Sequence, residues 1–169
     1  MAMKPCERVE LDFIQTAPFR FVSTVDLPIM PEQVWEVLDD AESWPHWATV
    51  ITKVTWTSPQ PHGIGTTRVV NMRGGITGDE EYLAWEPHSH MAFRFNEAST
   101  GSIAAFAEDY RIESTAGGCH LTWVMAMKPN GLAARLGMTL GRPVMSRLFQ
   151  KFLYNLRDYV ADRYPAAAQ

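Results

Sequence analysis

Residues 132–163 read LAARLGMTLGRPVMSRLFQKFLYNLRDYVADR, and this stretch decides the fold. From Val144 onward, apolar side chains recur at helical spacing. Val144, Met145, Leu148, Phe149, Phe152, Leu156, Tyr159 and Val160 share one face, with Arg147, Lys151, Asn155 and Asp158 on the other. Such a face needs a partner to bury it. Upstream, Leu132, Leu136 and Leu140 form a second stripe turned well away from the first, with Gly141 and Pro143 at the changeover. Proline lacks the amide hydrogen and crowds the preceding turn, so the helix is expected to kink or break there and let both stripes serve one interior.

The partner is legible in what precedes the helix. Thr16–Leu27, rich in Phe, Val and Thr, reads as a strand that stops at Pro28. Pro31 then opens PEQVWEVLDD as a short helix, and AESWPHWATV reads as a second helical turn ending in a compact loop. Six strand-like segments follow: Val50–Thr57, Thr66–Arg73, Ile76–Trp85, His90–Asn96, Ile103–Glu113 and Cys119–Met127. The turns between them are too short for parallel crossovers, so the pairing is antiparallel. The expected fold is α+β: a seven-stranded curved antiparallel sheet wrapped around the long C-terminal helix, with two short helices after the first strand. The expected domain spans residues 16–163, after an N-terminal extension over 1–15 and before a tail over 164–169.

Composition narrows the function classes. The chain has 169 residues, 46% of them apolar and 20% charged, which suits one folded domain and not a disordered chain. No apolar run is long enough to span a bilayer and the N-terminus lacks a signal core, so a cytoplasmic home without stable membrane insertion is expected. Cys6 and Cys119 are in no metal-like spacing and read as reduced thiols. The net charge of −4 hides an asymmetry, because residues 1–127 carry −9 and residues 128–169 carry +5. A basic tail can suggest anionic lipid or nucleic acid; the plainer account is a basic helix lying on an acidic sheet, with no nucleic acid involved.

Four local features carry a resemblance. They are the entry strand and helix FVSTVDLPIMPEQVWEVLDDAESWPHW, the strand start GIGTTRVVNM, the Trp85-Glu86-Pro87 turn, and the run Gly117-Gly118-Cys119-His120-Leu121-Thr122-Trp123. Together, over roughly residues 16–163, the chain resembles the polyketide cyclase/dehydrase and lipid-transport family of the START-related, birch-pollen-allergen-like superfamily. One departure is Gly118-Cys119-His120, where the family commonly has Gly-Thr-Arg. The resemblance implies a helix-grip container with a cavity between sheet and helix. It does not supply a reaction.

The residues indicate what the cavity holds. On the last strand Cys119, Leu121, Trp123, Met125 and Met127 share a face, and on the fifth Met91, Phe93 and Phe95 do. The expected ligand wall is Trp44, Trp47, Met72, Met91, Phe93, Phe95, Tyr110, Trp123, Met125, Leu136 and Leu140, with the Trp44–Trp47 loop as gate. Strand phase brings Glu108 inside with Phe106 and Tyr110, and brings Glu81 inside with Leu83 and Trp85. Two interior carboxylates can act as acid and base. Alternatively, a bulge reverses the phase and leaves them in solvent or ion-paired. Arg68 and Asn71 lie on opposite faces of one strand, and alternation does not settle which enters; an inward Arg68 can hold a ligand carboxylate or an enolate.

His88 and His90 lack a third ligand nearby, so no metal is expected, nor any cofactor. His46, between Trp44 and Trp47, can change charge near neutral pH. The function these features favour is binding of an apolar or amphipathic small molecule such as a lipid, isoprenoid or polyketide. An aromatase/cyclase-type enzyme and a quinone-binding accessory module are the alternatives, and a homodimer stays open.

Overall fold

The computed structural model describes residues 2–165, so residues 166–169 of the expected tail lie outside the described residues. Its elements are β1 (Lys4–Pro5), α1 (Phe13–Thr16), β2 (Phe19–Leu27), α2 (Pro31–Asp39), α3 (Trp44–Trp47) and β3 (Ile51–Trp56). There follow β4 (Thr67–Met72), β5 (Ile76–Glu86), β6 (His90–Ala98), β7 (Ile103–Thr115), β8 (Gly118–Pro129) and α4 (Gly131–Arg163). The main sheet runs β2-β8-β7-β6-β5-β4-β3, and every neighbouring pair is antiparallel. This is the expected seven-stranded sheet gripping a C-terminal helix.

Strand alternation builds the inner wall. On β2, Phe19, Phe21, Ser23, Val25 and Leu27 are buried and their neighbours are not. Register with β8 sets Phe21 opposite Met125 and Val25 opposite Leu121, so both strands present apolar side chains to the same interior. The link from β2 to β3 is held by its own polar groups. The Met30 amide donates to Gln33 Oε1 at 2.9 Å at the start of α2, and Trp44 Nε1 donates to the Leu38 carbonyl at 3.0 Å, fixing α3 on the end of α2.

The N-terminal segment packs against the outer face of the sheet. Lys4 and Pro5 pair with Ala98 and Glu97 of β6, and Ile14 of α1 is buried against Ala107, Val124 and Ala126. Ala107 and Ala126 face each other across β7 and β8, and their small side chains let α1 approach. A two-residue strand and a four-residue helix are too short to carry a periodic signature, so the sequence pattern does not announce either.

Helix α4 covers the expected span as one helix, so of the kink or break expected at Pro143 the break does not occur. Proline there removes one hydrogen bond, and the carbonyl it leaves without a donor belongs to the exposed Thr139, where water can serve it. A correction concerns the apolar stripes. Burial falls on Phe149, Phe152, Leu153, Leu156 and Val160, whereas Val144, Leu148 and the whole Leu132, Leu136, Leu140 stripe are exposed. The buried side chains of α4 all fall in its second half, where Gln150 Nε2 donates to the Thr24 carbonyl of β2 and Asn155 Nδ2 to the Trp47 carbonyl of α3, while the first half reaches the core only through the half-buried Met138 and Met145.

Candidate functional site

A cavity of about 300 Å³ lies between the concave face of the sheet and the middle of α4. Its deep wall is Phe95, Phe106, Tyr110, Trp123 and Trp44, and α4 closes it with Met145, Phe149 and Phe152. The half-buried members Val50, Ile51, Met72, Ile76, Ile103 and Met145 mark its open side. One backbone position sets the depth. A Cβ on Gly78 would stand 2.6 Å from Phe95 Cζ, so only glycine on β5 lets that ring lie flat across the strand.

Of the expected wall residues, Trp44, Trp47, Met72, Phe95, Tyr110, Trp123 and Met125 line this cavity. Met91 and Phe93 do not; both are fully buried in solid core, where the Phe93 ring packs against Tyr82, Trp44 and Tyr110. Leu136 and Leu140 do not reach it either, because their stripe points away from the sheet. His90 is tied to Asp109 at 2.6 Å, and His46 stacks on Tyr159.

Two carboxylates line the cavity, Glu108 and Glu80. Glu81, the expected partner of Glu108, is on the outer face, where its Oε2 accepts from Arg94 Nη2 at 2.9 Å. The cause is an irregularity in β5 between Tyr82 and Ala84 that resets the strand's phase. Trp85 then turns in toward Trp35 and Trp56 while Glu80 and Tyr82, not Glu81, face inward. An acid/base pair of Glu81 with Glu108 is therefore ruled out by position. The signal for Glu80 lies in cross-strand pairing, since Arg68 of β4 sits directly opposite it.

Arg68 points inward and is completely buried. Its Nε donates to Glu80 Oε2 at 2.5 Å, and its guanidinium lies over the rings of Trp44 and Phe93, at 4.2 and 4.5 Å. Burial is the strongest influence and works against this cation, but the charge of Glu80, its hydrogen bond and the neighbouring Tyr82 and Tyr110 together outweigh it and hold Arg68 above its ordinary value. Burial likewise raises the Glu80 carboxyl, with Arg68 opposing. The pair is a buried ion pair stacked among aromatics, with Glu80 at the cavity wall and Arg68 behind it.

Glu108 has no such cation. Its Oε2 accepts from Tyr110 Oη at 2.6 Å and from Trp123 Nε1 at 2.9 Å. Burial, reinforced by the charge on Glu80, pushes its carboxyl up to about 8 against the hydrogen bonds from Tyr110 and Trp123. At neutral pH the group is mostly the uncharged acid. With Oε2 accepting twice, its proton belongs on Oε1, which makes Glu108 a hydrogen-bond donor at the cavity. Trp47 Nε1, also at the cavity, is buried without a partner among the described residues.

A curled antiparallel sheet closed by a long C-terminal helix over an apolar cavity defines a helix-grip protein. The model of the polyketide cyclase / dehydrase and lipid transport family matches residues 18–161, and the chain belongs to that family. An uncharacterised protein of Mycobacterium tuberculosis is 59% identical over 167 residues, covering 99% of each chain. Among solved structures, the di-domain ARO/CYC protein StfQ of the steffimycin biosynthetic pathway matches with a TM-score of 0.69 at 11% identity, over 92% of this chain and 55% of that one. Ara h 8.0201 matches with a TM-score of 0.57 at 14% identity, over 82% and 97%. At these identities the structures speak for the fold alone.

Proposed function

We propose that this protein binds an uncharged amphipathic small molecule, of lipid, isoprenoid or polyketide type, in the cavity between sheet and α4. One observation carries the reading: the wall is almost wholly carbon, and apart from Glu80, which is held by Arg68, it offers two donors, the Glu108 acid and Trp47 Nε1. An apolar body would be held by burial, at about 25 cal/mol per Å² before ordering costs, and an oxygen acceptor would be oriented by the donors. Trp44, Trp47, Met72, Phe95, Tyr110, Trp123 and Met125 are the contacts of this proposal. The cavity's volume, at the low end of the roughly 300–1,000 Å³ usual for ligand sites, suits a compact ligand. The free thiols Cys6 and Cys119 fit the reducing cytoplasm assigned to the protein in this reading.

The test is a titration of intrinsic tryptophan fluorescence with a quinone, a flavonoid and a fatty-acid ester, paired with native mass spectrometry of protein taken from its source cell. Saturable quenching that disappears in Phe95→Asp, with the far-ultraviolet dichroism unchanged, is the expected result. A flat response across the panel, with no retained small molecule, refutes the reading. An aromatase/cyclase-type reaction is the second reading, favoured by Glu80 and Glu108 both lining the cavity. Because Arg68 engages Glu80, Glu108 is the proton donor such a reaction would use. Product formed from a polyketide substrate should then vanish in Glu108→Gln while binding persists.

A further inference from the structure

We propose that the first half of α4 is a docking surface for an anionic lipid bilayer. Leu132, Leu136 and Leu140 are 73%, 53% and 81% exposed, and Val144 is 66% exposed. At about 3.6 residues per turn their spacing of four makes one slowly winding ridge, turned away from the face that carries Met145, Phe149 and Phe152 to the cavity. Nothing among the described residues covers it.

Charge identifies the occupant. Between Glu113 and Asp158 the chain has no acidic residue, while Lys128, Arg135, Arg142, Arg147, Lys151 and Arg157 are basic. Arg135, Arg142, Arg147 and Lys151 make no ion pair among the described residues, so they are not neutralised by the acidic body of the domain. The expectation that the basic helix lies on an acidic sheet finds no ion pair to support it: among the described residues Arg157 pairs with Asp158 and Arg163 with Asp40, neither of them in the sheet. At about 100° per residue, Arg147 and Lys151 lie along the ridge itself and Arg135 beside Leu132, while Arg142 falls on the opposite side of the helix. A leucine ridge edged with arginine is the pattern of a helix lying in the bilayer interface, with apolar side chains at the acyl boundary and cations at the phosphates.

Other occupants fit less well. A symmetric second copy would set arginines against arginines. A nucleic acid would satisfy the cations but leave the leucines in water. No helix is long and apolar enough to cross a membrane among the described residues, so the contact is peripheral. The proposal stands whether or not the cavity holds a ligand.

The experiment is co-sedimentation of the full chain with vesicles of phosphatidylcholine alone and of phosphatidylcholine mixed with phosphatidylglycerol, at low and high salt. The expected result is binding to the mixed vesicles only, weakened by salt. Arg135→Gln, Arg147→Gln and Lys151→Gln together should lower partitioning about 100-fold, on a contribution of about 1 kcal/mol per cation near an anionic surface. Leu136→Ser with Leu140→Ser should lower it too, and neither set touches the core, so dichroism and melting should not change. Three results overturn the proposal: no partitioning onto the mixed vesicles, undiminished partitioning of either variant, or a solution dimer that the two leucine substitutions dissociate.

Discussion

Replacing Glu108 with Gln should abolish a large part of the protein's sensitivity to pH. The carboxyl sits at about 8 in the folded chain against an ordinary 4.5. Below about 4.5 the folded and unfolded chains both hold the proton. Between about 4.5 and about 8 only the folded chain holds it, so the unfolded state binds fewer protons and stability falls as pH rises. Above about 8 the fold must carry a buried charge, and the stability gained by keeping Glu108 neutral is lost.

At roughly 1.4 kcal/mol for each pH unit crossed in that window, less near its two ends, the parent should lose about 3.5 kcal/mol between pH 5 and pH 8 from this group, a sizeable part of a typical domain's stability. Glutamine keeps the oxygen that accepts from Tyr110 and Trp123 and never ionises. The assay is urea unfolding of parent and variant, followed by dichroism at stepped pH. Subtraction removes the titration of every other carboxylate. The variant's stability relative to the parent should rise by about 3.5 kcal/mol between pH 5 and pH 8. A flat difference would mean that Glu108 is ionised in the fold and would refute the neutral-donor account of the cavity.

Three further outcomes rest on the same geometry. Arg68→Ala should cost about 3–5 kcal/mol in urea unfolding, because it strands Glu80; Arg68→Met combined with Glu80→Leu should cost less than Arg68→Ala alone. Gly78→Ala should destabilise by about 1–3 kcal/mol and weaken ligand quenching, because the new methyl would push Phe95 into the cavity; unchanged quenching would place the ligand elsewhere. A methyl ester should quench more strongly than its parent fatty acid at neutral pH, since no basic side chain lines the cavity among the described residues and Glu80 and Glu108 both disfavour an anion. Tighter binding of the free acid would overturn that.

The sheet is legible in the sequence because each strand carries its own evidence. Alternation on β2 and β8 and the short glycine-rich turns fix strand identity and antiparallel sense without tertiary knowledge. The phase of Phe106 and Tyr110 puts Glu108 inside, and no bulge interrupts it. Glu80 escapes the same reasoning because a phase taken from Leu83 and Trp85 is valid only up to the irregularity after Tyr82. Such bulges answer to curvature of the whole sheet rather than to a local residue signal. Arg68 and Asn71 cannot be ranked from β4 alone; the pairing that puts Arg68 opposite Glu80 decides between them. On α4, periodicity shows two apolar stripes but cannot say what each meets.

That last ambiguity bears on how the two halves of α4 relate. A helix side chain is buried only if the sheet reaches it, and the grip of β2 and α3 extends along the second half, where Phe149 meets the rings of Phe21 and Trp123. Toward the first half the same helix still supplies Met145 to the open side of the cavity, while its opposite face carries Leu140 and Val144 in solvent. Cavity wall and leucine ridge are thus two faces of one helix, which loses a hydrogen bond at Pro143 but does not end there. A contact made on the ridge therefore bears on the segment beside the cavity opening. Keeping the leucines and arginines of that segment solvated is not required by the fold, whose core is complete with Phe149, Phe152, Leu153, Leu156 and Val160. The stripe answers to an external surface, and the unpaired arginines give that surface its sign.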